Sequence, residues 1–457
     1  METVHKRKRE EENSVLILLE IALELLVFLL VYYYTWKEYY REVSAFPYYG
    51  WGKIILIFIY AIIVFVMIRL NDGFLFGYRK SAEIVISQWV SLFVADLLTY
   101  LQLCLMANKL LHPSGMLIIF FLDIIVSATF TVIYSAIYRH QFVPLRMLLI
   151  SGKADGEAER IKEKIMSQGK RYSVEEVISP DIPMSDLQKK LFSYDGIIIT
   201  DVSAEKRNDI LKFAYAHEIR TYVSPKISDI LVNGAETVNL FDTPLRLIKG
   251  LGISLGERFI KRMLDIILSF ITLIILSPLF LIIAISIKIC DSGPVLFKQN
   301  RVTKDGRIFA LLKFRSMVVD AEKIDGARLA SQNDLRVTRV GRFLRRTRMD
   351  ELPQLINIIR GEMSIVGPRP ERPELYEKYC DDIPEFSLRL KVKGGLTGYA
   401  QVYGRYNTGA IDKLKYDLMY IGNYSLGLDF KVMLLTIGVL FKKEATEGVF
   451  EKDNGVK

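Results

Sequence analysis

The sequence predicts a membrane protein of three parts: an α-helical N-terminal bundle, an α/β Rossmann-like middle domain, and a mostly α C-terminal domain entered through a re-entrant membrane helix hairpin. Three observations carry that expectation. Hydrophobic residues make up 51% of the 457 while 25% are charged, and the mean hydropathy is +0.23, so the apolar residues must be gathered into blocks. Four such blocks near the length of a bilayer span fall early in the chain. From about residue 146 the pattern changes to short apolar runs alternating with charged amphipathic ones. The length allows about three domains at roughly 150 residues each.

The four early runs cover residues 15–34, 54–68, 84–107 and 116–138 and predict a transmembrane bundle over 14–143, after a cytoplasmic tail at 1–13. Lys6 to Arg9 are followed by Glu10, Glu11 and Glu12, with no small-residue cleavage site after the apolar run, which excludes a cleaved signal peptide. Arg69, Arg79, Lys80, Arg139 and Arg146 flank the ends that share a side with the tail, and that side is predicted to be cytoplasmic. Tyr48, Tyr49 and Trp51 extend the short second run as interface anchors. Glu20, Glu24, Asp96 and Asp123 lie inside the runs; they read as inter-helix hydrogen-bonding groups, with proton-driven transport as the sharper alternative.

Residues 144–250 predict a doubly wound α/β domain, with strands near 147–151, 172–178, 195–200 and 221–224 and helices near 156–168 and 205–217. After the first strand the chain reads Ser151-Gly152-Lys153-Ala154-Asp155-Gly156, so the three-glycine dinucleotide fingerprint is absent. Tyr222 and Lys226 match a Tyr-x-x-x-Lys pair but lack its cofactor loop. The domain is expected to regulate or assemble rather than catalyse.

Residues 266–287 hold no charge, long enough for a fifth span, yet Lys261 and Arg262 precede the run and Lys288 closes it. Ser277 and Pro278 stand midway, where proline removes a backbone hydrogen bond and kinks the helix. A hairpin over about 262–289 that enters and returns is therefore predicted, its freed carbonyls needing partners such as the Ser277 hydroxyl. A straight fifth span is the alternative.

The remainder carries the chemistry. Residues 298–348 hold 14 Lys and Arg against 5 Asp and Glu, an excess as large as the net +9 of the whole chain, so an anionic partner belongs there. No histidine occurs in 251–457, which removes Ser-His, Cys-His and His-metal chemistry. The three cysteines, Cys104, Cys290 and Cys380, are too few and scattered for a disulfide framework or a zinc site and fit a reducing compartment. Carboxylates, arginines, lysines and glycine turns remain, an inventory suited to magnesium-assisted phosphoryl transfer. Six arginines fall between Arg336 and Arg348. Arg339, Arg342 and Arg346 share a helical face that suits anionic lipid or a phosphate clamp. Asp350-Glu351-Leu352-Pro353-Gln354 follows, a carboxylate pair that neighbouring arginines stabilise.

Lys261-Arg262 with Asp265, the Ser277-Pro278 kink, Lys313-Phe314-Arg315-Ser316-Met317, the Asp350 to Gln354 motif, the segments 364–370 and 395–404 together resemble the bacterial sugar transferase family, the monotopic polyprenyl-phosphate sugar-1-phosphate transferases. The resemblance covers about 254–457; the preceding helices and α/β domain are similar to the family's long form. It implies transfer of a sugar-1-phosphate from a UDP-sugar to undecaprenyl phosphate at the inner face of the bacterial cytoplasmic membrane, with release of UMP. Such reactions start exopolysaccharide, capsule or glycan assembly. By the same resemblance Asp350 is the nucleophile, Glu351 the catalytic carboxylate that binds Mg2+, and Arg345 a phosphate-binding group. Arg369, in Gly367-Pro368-Arg369-Pro370, contacts the nucleotide substrate, and Lys313 and Arg315 are further substrate-binding residues. Arg348-Met349 departs from the Ser-Leu often found before the dyad, which bears on substrate preference.

A homodimer and contact with membrane lipids are expected, and no nucleic-acid partner. Two other readings stay open: a membrane-anchored regulator or scaffold of polysaccharide export, in which the dyad only forms salt bridges, and a UDP-sugar dehydratase, against which the missing glycine fingerprint counts. An apolar-faced helix is expected over 424–443.

Overall fold

The computed structural model describes residues 2–41, 51–76, 81–141, 143–152, 155–166, 172–240, 242–250, 252–290, 292–319, 336–404 and 408–440. Tyr48, Tyr49, Arg79, Lys80, Lys153, Ala154 and residues 441–443, all used in the sequence reading, lie outside them. Two compact units meet in sequence between Ser224 and Pro225.

The first unit begins with helices α1 (Glu2–Tyr39), α2 (Trp51–Leu70), α3 (Ser81–Ala107) and α4 (Ser114–Gln141). Each contains a stretch long and apolar enough to cross a membrane. Inward faces carry Phe28, Tyr32, Trp36, Leu56, Tyr60, Leu92 and Ile119, while leucines and isoleucines such as Leu19, Ile55, Leu101 and Ile125 face outward. An apolar exterior around a packed interior is what a lipid solvent selects. Of the carboxyls inside these helices, Glu20 is buried with no hydrogen-bond partner among the described residues, whereas the others bond between helices: Tyr60 lies 3.0 Å from Asp96 Oδ1 and 2.9 Å from Asp123 Oδ2. Gln88 joins Glu24, Ser127 and Thr131 at 3.3, 2.5 and 3.2 Å.

The same unit holds a four-stranded parallel sheet, β1 (Leu145–Ser151), β2 (Tyr172–Ile178), β3 (Gly196–Thr200) and β4 (Arg220–Val223), in the order β2-β1-β3-β4. Alternate residues of β1 and β3 face opposite ways. Leu148, Ile150, Ile197 and Ile199 pack on α6 (Met184–Leu191) and α7 (Ala204–Ala216), whereas Met147, Leu149 and Ile198 pack with Ile161 and Ile165 of α5 (Asp155–Met166). This is the doubly wound arrangement read from the periodicity.

The second unit contains the segment 225–250, which the sequence reading had assigned to the α/β domain. Its helix α8 (Ile227–Asn233) buries Ile230 in one core with Leu414, Leu418 and Ile421 of α14 (Ala410–Gly422), and the backbones meet where a Cβ on Gly234 would stand 2.7 Å from Gly422 Cα. Packing rather than composition places the boundary. A hairpin, β5 (Glu236–Leu240) with β6 (Thr243–Leu247), follows, then the 36-residue helix α9 (Leu255–Cys290).

Helix α9 carries Pro278 within it, and the Ser277 hydroxyl donates to the Ile274 carbonyl at 2.8 Å. That carbonyl is the one the missing proline N–H leaves free. The rest of the unit comprises the antiparallel hairpin β7 (Leu296–Val302) and β8 (Ile308–Phe314), helices α10 (Arg339–Arg346), α11 (Gln354–Arg360), α12 (Pro373–Asp382), α13 (Tyr399–Tyr403), α14 and α15 (Leu426–Leu440), and a short parallel pair, β9 (Ser364–Val366) and β10 (Gly395–Thr397).

Both halves of α9 pack on this one unit. Leu273 contacts the core of Phe309, Leu355 and Ile358, while Ile283 and Ile287 join Phe314 and Leu344. Phe280 and Phe314 stack edge-on at 5.2 Å. Ile267, Phe270, Ile274, Ile275, Leu281, Ile282 and Ile285 remain exposed on the other side.

Candidate active site

The site begins at α10. Thr338 caps it by accepting a hydrogen bond from the Gly341 N–H at 2.9 Å, and Leu344 turns into the core while Phe343 stays 59% exposed among Arg339, Arg342 and Arg346. The helix stops because Arg348 adopts a left-handed backbone, φ 54°. For a residue with a Cβ that conformation is uncommon and costs energy. It reverses the chain so that Met349–Glu351 forms a single 3-10 turn, which buries Asp350 and Glu351 to 8% and 9% exposure. The departure from the family pattern at Arg348 and Met349 thus sits on the turn that aims the dyad.

Two cations converge on Glu351. Arg369 Nη2 lies 2.7 Å from Oε1, and Lys313 Nζ, from the end of β8, lies 3.4 Å from the same oxygen. Burial alone would push the Glu351 carboxyl up, but Arg369, Lys313 and the hydrogen bond outweigh it and hold the group well below the usual carboxylate range. Asp350 goes the other way. Burial raises it, the adjacent Glu351 raises it further, and Lys313, Arg345 and Arg369 only partly offset this. Burial lowers the Lys313 ammonium against the pull of Glu351, while Glu351 raises Arg369. Burial and neighbouring charges thus drive the two adjacent carboxyls in opposite directions.

The other sequence-selected residues divide. Arg345 reaches toward the dyad region through Nε, which donates to Ser316 Oγ at 2.7 Å. The Arg315 guanidinium lies against Gly293, so closely that a Cβ there would collide with it. Ser277 and Pro278 belong to α9.

Sequence reasoning assigned no role to several groups that hold the site. Lys261 pairs with Asp429 at 2.6 Å, Arg262 donates to the Ile358 and Ile359 carbonyls at 2.5 and 2.7 Å, and Asp265 accepts from the Ile365 N–H at 3.0 Å. These motif residues of α9 therefore fasten it to α11, β9 and α15. Arg301 on β7 donates to the Pro370 carbonyl at 3.0 Å; burial and Arg369 lower its guanidinium to about 10. Only the motif spacing of the α9 residues gave any signal. Gly395 and Gly398 of the segment 395–404 are explained by crowding, since a Cβ on either would run into the backbone of Gly367.

Among the described residues no group of three or more His, Cys, Asp or Glu comes together to hold a metal ion. Magnesium, however, commonly binds through one or two carboxylates and completes its shell with water and substrate phosphates. An ionised Glu351 beside Asp350 fits an ion that arrives with a diphosphate, not a preformed cage.

Comparison with known proteins agrees. Residues 256–443 match the family model described as bacterial sugar transferase. A Klebsiella pneumoniae UDP-glucose:undecaprenyl-phosphate glucose-1-phosphate transferase is 40% identical over 248 residues, covering 53% of this chain and 51% of the relative. An Escherichia coli protein of the same name is 43% identical over 212 residues, 45% and 44% of the two chains. An Aeromonas hydrophila UDP-N-acetylgalactosamine-undecaprenyl-phosphate N-acetylgalactosaminephosphotransferase is 38% identical over 251 residues, 53% and 58%. The chain spans about half the length of the curated relatives it matches. The segment that resembles the bacterial sugar transferase family contains the dyad, both of its cations and all of α10 to α15.

Proposed function

We propose that the chain transfers a sugar-1-phosphate from a UDP-sugar to undecaprenyl phosphate, starting assembly of an exopolysaccharide, capsule or glycan. One observation carries this reading: Arg369 and Lys313 both engage Glu351, leaving Asp350 with a raised, basic carboxylate near Lys313, Arg345 and Arg369. Asp350 attacks the β-phosphorus; a carboxylate oxygen–phosphorus bond forms as the bond to the bridging oxygen breaks, and UMP leaves with that oxygen. An oxygen of undecaprenyl phosphate then attacks the same phosphorus, the aspartyl–phosphorus bond breaks, and Asp350 is restored. Arg369, Lys313 and Arg345 hold the phosphate oxygens and oppose their charge. Glu351 would hold the magnesium, which when bound neutralises charge on the diphosphate.

The re-entrant reading of α9 has physical support. A straight 36-residue helix is about 54 Å long, more than a bilayer core, yet residues on both sides of Pro278 pack on the same unit. A helix fastened to one compact unit along both halves leaves that unit on one side of the membrane. The flanking lysines and arginines favour the cytoplasmic side of the bacterial inner membrane.

The test is UMP release by the full chain in lipid discs, with magnesium, undecaprenyl phosphate and a panel of UDP-sugars. Release from one donor that Asp350→Asn abolishes is expected. Release unchanged in Asp350→Asn would overturn the assignment.

A further inference from the structure

Arg389 lies in the 3-10 segment Pro384–Lys391, between α12 and β10, and only 3% of its side chain is exposed. Nothing in the proposed chemistry uses it, yet burying a guanidinium demands partners. It has them on four sides. Nε and Nη2 form a fork on Asp417 Oδ2, at 2.9 and 2.8 Å, and Asp417, on α14, is itself 1% exposed. Nη1 lies 3.6 Å from Glu371, and the guanidinium carbon rests 4.7 Å from the centre of the Phe386 ring. Nη2 also donates to the backbone carbonyl of Arg369 at 3.0 Å.

The last contact connects this buried pair to the site. Arg369 belongs to the turn Gly367-Pro368-Arg369-Pro370, and its own side chain ends on Glu351. A proline on either side stiffens the turn, and Arg301 holds the carbonyl of Pro370 beside it. Moving the Arg369 carbonyl therefore moves its guanidinium. We propose that Arg389, oriented by Asp417, is a positioning residue that sets the Arg369 guanidinium against Glu351. The role rests on the transferase reading for its effect on turnover, but its structural content does not.

The choice of arginine follows from geometry. Its planar fork satisfies a carboxylate through two nitrogens while still reaching a carbonyl, whereas a lysine is a single rotatable donor cluster and cannot hold both in fixed directions.

Arg389→Lys and Asp417→Asn in the full chain in lipid discs test this by two readouts. The first needs no turnover: phenylglyoxal labelling resolved by peptide mass spectrometry. Arg369 is 35% exposed but paired, so it labels slowly in the native chain and several-fold faster in Arg389→Lys, while exposed Arg307 is unchanged. The second is the steady-state kinetics of UMP release per folded enzyme. kcat falls roughly tenfold to a hundredfold, with KM changed less, as expected for a small misplacement of a catalytic group.

Equal Arg369 labelling and an unchanged kcat in folded Arg389→Lys would overturn the proposal. If that variant does not fold, Asp417→Asn, which keeps shape and acceptor but loses charge, must give the same changes in smaller degree. A native chain that releases no UMP from any sugar would sink the transferase reading alone, and the labelling would still decide the relay.

Discussion

Lys261 and Asp429 form a buried ion pair 2.6 Å long between residues 168 positions apart, tying the first turns of α9 to α15. Tyr420 donates to the other carboxylate oxygen at 2.7 Å and so completes the shell of Asp429. Burial pushes the Asp429 carboxyl up, and Lys261 offsets this. Removing one partner leaves the other charged and desolvated. Lys261→Ala is expected to cost about 3–5 kcal/mol, whereas Lys261→Met with Asp429→Leu recovers most of it. Denaturant unfolding of the detergent-solubilised chain checks both.

The dyad predicts the pH profile. In the proposed reaction Asp350 must be ionised to attack, and its carboxyl is raised above 3.8 by burial and by Glu351, so the acid limb of kcat/KM lies above the ordinary aspartate range. Lys313 is lowered below 10.5 by burial, so the alkaline limb falls earlier than for a free lysine. An acid limb at or below 3.8 would contradict this assignment.

Stability follows Glu351 in the opposite sense. Its folded-state carboxyl is depressed, so its contribution is fully present above the unfolded value of 4.5 and is lost as pH falls through the folded value. Glu351→Gln should flatten that acid loss in a melting series. It should also weaken the magnesium dependence of UMP release, while chelation with EDTA stops release by the native chain and added magnesium restores it.

Arg369→Ala removes the direct hydrogen bond to Glu351 and a donor that the proposed reaction uses to hold the phosphates. A loss of roughly 10²–10³ in kcat is expected, the usual size for one charge-stabilising donor. Arg315→Ala, which removes a guanidinium packed against Gly293, should lower stability as well. Steady-state kinetics beside thermal melts separates the two.

The re-entrant path makes a topological prediction. Leu255 and Cys290, at the two ends of α9, are both exposed. In sealed vesicles a membrane-impermeant maleimide should reach Leu255→Cys and the native Cys290 from the same face. Labelling from opposite faces would establish a straight span.

Much of this protein is legible without coordinates because the deciding signals are local. Apolar run length marks the helices that suit lipid, period-two and amphipathic alternation marks the parallel sheet, and the absence of histidine after residue 250 with adjacent Asp350 and Glu351 marks the chemistry. Even the Ser277 to Ile274 hydrogen bond is local, since proline always frees the carbonyl four residues earlier. What tertiary structure alone decided is which distant groups meet. Lys313 and Arg369 reach Glu351 from 38 and 18 positions away, Arg389 meets Asp417 and the Arg369 carbonyl, and α8 joins α14 rather than the preceding sheet. Chain order carries no record of such contacts, because they depend on how the elements pack, and the opposite shifts of Asp350 and Glu351 are properties of that packing.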